Sequence, residues 1–184
     1  ALTFRPLWPS WPPAGTRGEP ITIQLDVLCT FLANLLLTMD MAAQPDKVLQ
    51  ACEALMPHLC HVGLTTADPN RQVPIGFWMH RGCVPLINPR QFDSHYWPTL
   101  KPIIEEFWKH GHQTLFYAEG KWKHHFDTFR ELPDRSITYH CDRDDIFEVH
   151  RRLHDKFALS GGIPNMLLSY GQPEEVRDFT GRVL

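Results

Sequence analysis

Residues 113–160 read QTLFYAEGKWKHHFDTFRELPDRSITYHCDRDDIFEVHRRLHDKFALS, and this stretch decides the fold class. Short runs of strand-forming residues alternate in it with runs of helical length. The predicted strands are 113–118, 136–141 and 157–160, and the predicted helices between them are 122–132 and 144–153. Strands that alternate with helices form βαβ units, so the sequence predicts an α/β protein with a parallel sheet.

The same alternation continues on both sides of this stretch. The further predicted elements are a helix over 21–43, a helix over 45–61 that Gly63 ends, a strand over 73–80, a helix over 88–110 and a final helix from 173 onward. Pro98 and Pro102 should kink or split the helix 88–110, because proline removes a backbone donor and clashes with the preceding turn. Glu174 and Glu175 suit the positive N-terminal end of the final helix.

The number of strands leaves two architectures open. Only four or five strands can be counted, which fits an open flavodoxin-like sheet. Part of an eight-stranded barrel fits equally, since a complete (β/α)8 barrel usually needs about 250 residues. Hydrophobic periodicity does not decide between the two.

The composition argues against several classes of protein. The net charge of −3 and the isoelectric point near 6.4 lack the basic surplus of nucleic-acid-binding domains. The most apolar stretch, residues 27–41, is interrupted by polar residues, so no membrane span is predicted. The five cysteines are widely spaced without a Cys-x-x-Cys pair, which predicts reduced thiols in a cytoplasmic protein.

The segment LSGGIPNMLLSYGQPEEV (159–176) resembles the signature of the uroporphyrinogen decarboxylase superfamily, in which a strand ends in a small-residue turn before a short leucine-containing helix. Other segments resemble the family in order and spacing: DVL (26–28), QPDK (44–47), FDSHYWPTLK (92–101), LFYAEG (115–120) and YHCD (139–142). The resemblance implies a parallel (β/α)8 TIM barrel. It also implies that residues 1–184 form one incomplete barrel domain, about strands three or four to seven, because the family's first and last strands find no counterpart.

Two departures separate the chain from the characterised branches of that superfamily. Its zinc-dependent methyltransferases carry His-x-Cys-Gly where this chain has YAEG (117–120), so two zinc ligands are replaced and no zinc site of that type is expected. The haem-pathway decarboxylase carries a Glu-Ser-His-Ala-Gly-like turn where this chain has WMHRG (78–82). In these positions the chain resembles instead the uncharacterised anaerobe-type members of the family, which are often encoded beside corrinoid methyltransferase systems.

Active sites of such barrels form at the carboxyl ends of the strands, which makes the polar residues there the candidates. The predicted catalytic residues are Glu119, His140 and Asp142. The predicted substrate-binding residues are His80, Arg81, Tyr117 and Asn165. Tyr117 suits a core position equally well. No metal is assigned to these residues.

Each candidate also has a structural interpretation. Glu119 is a general base or a ligand-holding carboxylate, or else a solvent-facing carboxylate in a cap or ion pair. His140, Asp142 and His80 could together hold a metal, or His140 could be a buried imidazole bonded to a backbone carbonyl. Arg81 suits a carboxylate or phosphate, or a surface ion pair.

Two histidine pairs resemble metal ligands but lie outside the predicted site. They are His124-His125 and His110-x-His112. No further ligands accompany them at the spacing of a zinc site, so solvated side chains are expected.

The resemblance implies an enzyme that moves a methyl group between a small donor, such as an aryl methyl ether or methylamine, and a corrinoid protein. Glu119, His140 and Asp142 would handle protons, and no cofactor would bind directly because the corrinoid belongs to the partner. Decarboxylation of uroporphyrinogen or a similar polycarboxylate is the alternative, and an inactive fragment is a third. Expected partners are the small-molecule substrate, the corrinoid protein and a second copy in a homodimer, but neither nucleic acid nor a membrane.

Overall fold

The computed structural model describes residues 22–23, 34–79 and 82–184, with side chains described from residue 37 onward. The strands are β1 (Thr22–Ile23), β2 (Ile75–Trp78), β3 (Thr114–Ala118), β4 (Ile137–Cys141) and β5 (Ala158–Gly161). The α-helices are α1 (Asn34–Ala43), α2 (Pro45–Thr66), α3 (Pro89–Gln91), α4 (Trp97–Lys109), α5 (Phe126–Phe129), α6 (Ile146–Leu153), α7 (Asn165–Tyr170) and α8 (Pro173–Val183). A π-helix, Phe92–Tyr96, joins α3 to α4, and a 3-10 helix, Lys123–His125, precedes α5.

The strands form one parallel sheet in which their spatial order, β1-β2-β3-β4-β5, is their order along the chain. The predicted α/β class and parallel sheet are therefore confirmed, and the four strands predicted over 73–80, 113–118, 136–141 and 157–160 are adjacent in this sheet. A flavodoxin-like sheet would place its first strand between the second and third. The described strands show no such exchange, so the sheet is compatible with part of an α/β barrel.

One face of the sheet is buried beneath helices. Phe116 and Tyr139, which face the same side of β3 and β4, are fully buried. Helix α4 covers this face through Phe107, whose ring centroid lies 6.0 Å from that of Phe77. Helix α5 covers it through Phe129, whose ring centroid lies 4.8 Å from that of Phe116. The main hydrophobic core thus lies between the sheet and these helices.

The opposite face carries a row of side chains that crosses four strands. Trp78, Tyr117, His140 and Ser160 are paired in register from β2 to β5, and all four are half-buried. Side chains of a strand alternate between the two faces, so this cross-strand row lies on the side away from α4 and α5. The row is the last one on this face before the strands end, which places it near their carboxyl ends.

Two predicted boundaries in the N-terminal half are wrong. Thr22–Ile23, predicted within a helix, pairs with Gly76 and Phe77 as a strand, since a short apolar run does not distinguish a strand from a helix. Helix α2 continues through Gly63 to Thr66. A glycine costs a helix only about 1 kcal/mol, and packing of this helix against the core, for example by Leu64, outweighs that cost.

Pro98 and Pro102 were predicted to kink or split the helix over 88–110, but neither of them splits it. Pro98 lies in the first turn of α4, where its missing N–H is not needed, and Pro102 lies within α4 without ending it. The irregularity is instead the π-helix that precedes α4. None of the described helices combines the length and the apolar content that a bilayer crossing needs.

Candidate functional site

Five of the seven predicted site residues can be placed. His80 and Arg81 lie outside the described residues. Tyr117, Glu119, His140 and Asp142 lie at or just after the carboxyl ends of β3 and β4. Asn165 is exposed at the start of α7, which follows β5.

The cross-strand row holds the His140 imidazole on two sides. The rings of Tyr117 and His140 are stacked, with centroids 4.6 Å apart and planes at 17°. Nδ1 of His140 lies 2.9 Å from Oγ of Ser160 on the neighbouring strand. Nδ1 of His140 therefore bonds to a serine hydroxyl. A backbone carbonyl was the partner expected if His140 had only a structural role. Trp78 extends the row, with its ring centroid 4.9 Å from that of Tyr117.

The electrostatic surroundings favour the neutral form of His140. Burial lowers the pKa of His140 below its ordinary value, and the nearby Asp142 carboxylate opposes this shift by raising it. Because Ser160 occupies Nδ1, and no described residue forms a hydrogen bond with Nε2, Nε2 is the nitrogen that can exchange a proton with a ligand.

Gly161 leaves room for this imidazole. A Cβ at position 161 would lie 2.6 Å from the Cys141 carbonyl oxygen, 2.9 Å from Cε1 of His140 and 3.1 Å from its Nε2. The φ of Gly161 is +74°, a region that residues with a side chain rarely adopt. Both features require glycine at the position that adjoins Nε2 of His140.

Substitution of Gly161 by Ala should therefore destabilise the fold by about 1–3 kcal/mol and displace the His140 ring. Urea unfolding measures the first effect, and the NMR shift of the His140 ring protons measures the second. Gly181→Ala is the matched control, because a Cβ at that helical position meets nothing within 4 Å. If Gly161→Ala unfolds at the same urea concentration as Gly181→Ala, the close approach at position 161 is not a constraint.

A cavity of about 370 Å³ lies beyond the carboxyl ends of β2, β3 and β4. The loops 83–86 and 119–121 and the side chain of Arg143 line it. Glu119 belongs to this loop cavity and is half-buried. Its backbone carbonyl accepts hydrogen bonds from Nε1 of Trp122 at 2.8 Å and from Sγ of Cys83 at 3.6 Å. These bonds fix the backbone that carries the Glu119 carboxylate.

Two aspartates connect the loops after β3 and β4. Oδ2 of Asp142 accepts the backbone N–H of Gly120 at 2.9 Å and lies 3.6 Å from Nε of Arg143. Asp144, which the sequence analysis missed, accepts from the Trp122 backbone N–H at 2.7 Å and from the Tyr139 hydroxyl at 3.1 Å. The Asp-x-Asp pattern of Asp142 and Asp144, directly after a strand, is the signal that could have indicated it.

Burial raises the pKa of Asp144, and the hydrogen bond from the Trp122 N–H partly offsets this shift. Its contacts are with the protein's own backbone and Tyr139, so Asp144 anchors the loops. Asp142 has the same kind of contact through Gly120. A structural function of Asp142 thus has direct support, while its predicted catalytic role stays a prediction.

The structure brings some of the predicted residues together and leaves others apart. Tyr117 and His140 are neighbours in the cross-strand row. Glu119 lines the loop cavity, which lies further along the same strands. No hydrogen bond or ion pair described in the structure joins Glu119 to His140, so a shared site for these two groups stays a prediction.

Cysteine and histidine side chains show no metal site in the described part of the chain. No three histidine, cysteine, aspartate or glutamate side chains there are close enough to hold an ion. Burial raises the pKa of Cys141 to about 12, and its thiol donates to the Asp144 carbonyl at 3.2 Å. This thiol therefore stays protonated at pH 7.

The solvated state predicted for His125 is wrong. Only 2% of His125 is exposed, and its ring is stacked on Phe92 with centroids 3.7 Å apart. Its Nε2 is buried without a hydrogen-bond partner among the described residues. Burial lowers the pKa of His125 to about 4. A histidine amid aromatic residues gives no periodic signal that separates it from its exposed neighbour His124, so only the packing reveals it.

The chain matches no protein-family model, no curated protein and no solved structure in the three comparisons.

Proposed function

We propose that the chain is a uroporphyrinogen decarboxylase-superfamily enzyme that transfers a methyl group between a small methylated donor and a corrinoid protein. Its sheet would form part of a (β/α)8 barrel. Two features support this architecture: the strands follow one another in sequence order, and helices α4 and α5 cover the same face. The cross-strand row would then line the barrel interior beside the mouth, where barrel enzymes carry their active sites.

The observation that carries the proposal is the fixed His140 imidazole in this row. It lies stacked on Tyr117 and bonded to Ser160, with Nε2 directed to no described hydrogen-bond partner. Such a ring is held in one orientation and can exchange a proton with a ligand, which is what general acid–base catalysis requires.

Methyl transfer from an ether or amine needs a proton. When the C–O or C–N bond breaks, its electron pair stays on the oxygen or nitrogen, which then takes up a proton. The reduced corrinoid supplies the electron pair of the new bond to the methyl carbon and is oxidised by two electrons. Protonated His140 would deliver the proton, and its lowered pKa makes the imidazolium a stronger acid but a smaller fraction at pH 7. Transfer should accordingly become faster as the pH falls towards the pKa of His140.

The test uses the full chain with cobalamin reduced to the Co(I) state, and methoxybenzene or methylamine as the methyl donor. Visible absorption follows the loss of Co(I), and chromatography measures phenol or ammonia formed. We expect both to depend on the chain and to fall about 100-fold or more in His140→Gln. Loss of Co(I) at the rate of a protein-free sample, with neither product formed, would exclude methyl transfer from these two donors.

Decarboxylation of a polycarboxylate such as uroporphyrinogen is the second candidate. It needs cationic side chains to hold several carboxylates, and the loop cavity contains two, Lys121 and Arg143. Release of carbon dioxide from uroporphyrinogen on incubation with the full chain distinguishes this reaction from methyl transfer.

A further inference from the structure

We infer that the loop cavity is an anion subsite in which Lys121 and Arg143 bind a carboxylate or phosphate group of the substrate. The identity of the substrate rests on the proposed function, and the subsite restricts the methyl donor to molecules that carry an anionic group. The binding of an anion to the cavity depends only on the cavity and its charges.

The backbone places the two cations on adjacent loops. Lys121 pairs with Val84 in an isolated antiparallel bridge, which joins the loop after β3 to the loop after β2. The backbone N–H of Arg143 donates to the Gly120 carbonyl at 3.2 Å, which joins the loop after β4 to the same segment. A Cβ at Gly120, whose φ is +96°, would lie 2.8 Å from Sγ of Cys83, so these loops approach each other closely. The cavity is therefore formed by three loops, of which the loop after β3 is bonded to the other two.

The charges that line the cavity favour an anion. Among the described residues that line it, Lys121 and Arg143 are cationic side chains and Glu119 is the one carboxyl side chain. Arg143 has a carboxylate neighbour, since Asp142 Oδ2 lies 3.6 Å from its Nε, but its side chain is 73% exposed and retains donors for a ligand. No carboxylate in the described part of the chain lies within ion-pair distance of Lys121.

The rest of the wall is suited to a small molecule. The loop 83–86 contributes Val84, Pro85 and Leu86, which give the cavity an apolar wall beside the two cations. A volume of about 370 Å³ is within the range of small-molecule sites. A guanidinium can hold a carboxylate or phosphate through two parallel hydrogen bonds, and an ammonium adds a point charge.

The experiment measures binding to the full chain by NMR titration with three probes. Methoxyacetate supplies a carboxylate, inorganic phosphate supplies the other anion, and methoxyacetamide is the uncharged counterpart of the first. We expect saturable binding of at least one anion, at least tenfold tighter than that of the amide and weakened by added salt. Lys121→Met and Arg143→Met should each weaken anion binding about tenfold. Lys123→Met is the matched control, because Lys123 is exposed two residues away and does not line the cavity.

Which anion binds identifies the group. Tighter binding of methoxyacetate indicates a carboxylate, and tighter binding of phosphate indicates a phosphoryl group. The subsite is disproved if neither anion saturates, if the amide binds as tightly as the anions, or if Lys123→Met weakens binding as much as Lys121→Met. If the chain binds an anion but catalyses neither methyl transfer nor decarboxylation, the subsite stands and the proposed reactions are excluded. If the chain catalyses one of these reactions but binds no anion, only the subsite is excluded.

Discussion

Replacing Glu119 by Gln should lower the rate of methyl transfer by the full chain about 100- to 10,000-fold, because a positioned acid or base contributes that much to a rate. The amide is nearly the same size as the carboxylate, so the wall of the loop cavity keeps its shape while the titrating charge is lost. The loop backbone is held by the Glu119 carbonyl, which the substitution leaves in place. The free energy of unfolding should therefore change by less than the activation free energy of the transfer does.

The control for this result is Glu53→Gln, which removes the same charge from an exposed position on α2. Initial rates with Co(I) cobalamin and methoxybenzene are compared for both variants, and urea unfolding is measured alongside. A Glu119→Gln rate within a few-fold of the Glu53→Gln rate would leave Glu119 as a structural carboxylate. A large loss of both rate and stability would show that Glu119 acts through the fold and not on the substrate.

Replacing His125 by Phe should make the fold markedly more resistant to acid. The pKa of His125 is about 4 in the folded chain, against an ordinary value of 6.5. Between these two pH values the unfolded chain binds a proton on His125 and the folded chain does not, so stability falls as the pH decreases. The loss amounts to about 3 kcal/mol between pH 7 and pH 4. The phenylalanine variant lacks this loss.

Urea unfolding at pH 7 and at pH 4 measures the effect as a difference between two proteins. Carboxylates titrate in both of them, and their contributions cancel when the variant is compared with the wild type. Between pH 7 and pH 4 the free energy of unfolding of His125→Phe should rise by about 3 kcal/mol relative to that of the wild type. His124→Phe is the matched control, since His124 is exposed and its neighbour keeps its burial. If the free energy of unfolding depends on pH equally in His125→Phe and in the wild type, burial of this imidazole does not make the fold sensitive to acid.

Much of the sheet could be predicted from the sequence because its strands are short apolar runs bounded by turn residues. The predicted strand over 113–118 overlaps Thr114–Ala118 almost completely, and that over 136–141 overlaps Ile137–Cys141. Boundaries were less predictable where tertiary contacts outweigh local preference. Gly63 is an example, because packing of α2 against the core maintains the helix through a residue that usually weakens it.

The candidate site was predictable in part for the same reason. Parallel strands end at one edge of a sheet, so the positions of Tyr117 and His140 near that edge follow from the strand pattern. Their stacking, and the bond from His140 to Ser160, depend on the register between β3, β4 and β5. Strand register is a long-range property, and a shift of one residue would turn each of these side chains to the other face.

The sequence by itself determined the α/β class and a parallel sheet, since these depend on local runs and their alternation along the chain. Only the tertiary structure decided which polar groups meet. Asp144 binds backbone and side-chain donors from two other segments, and His125 is enclosed by aromatic rings from α4's preceding π-helix and from its own segment. The loop cavity likewise exists only because three loops distant in sequence are bonded together. Contacts of this kind are set by how the elements pack, and no local pattern of residues encodes that packing.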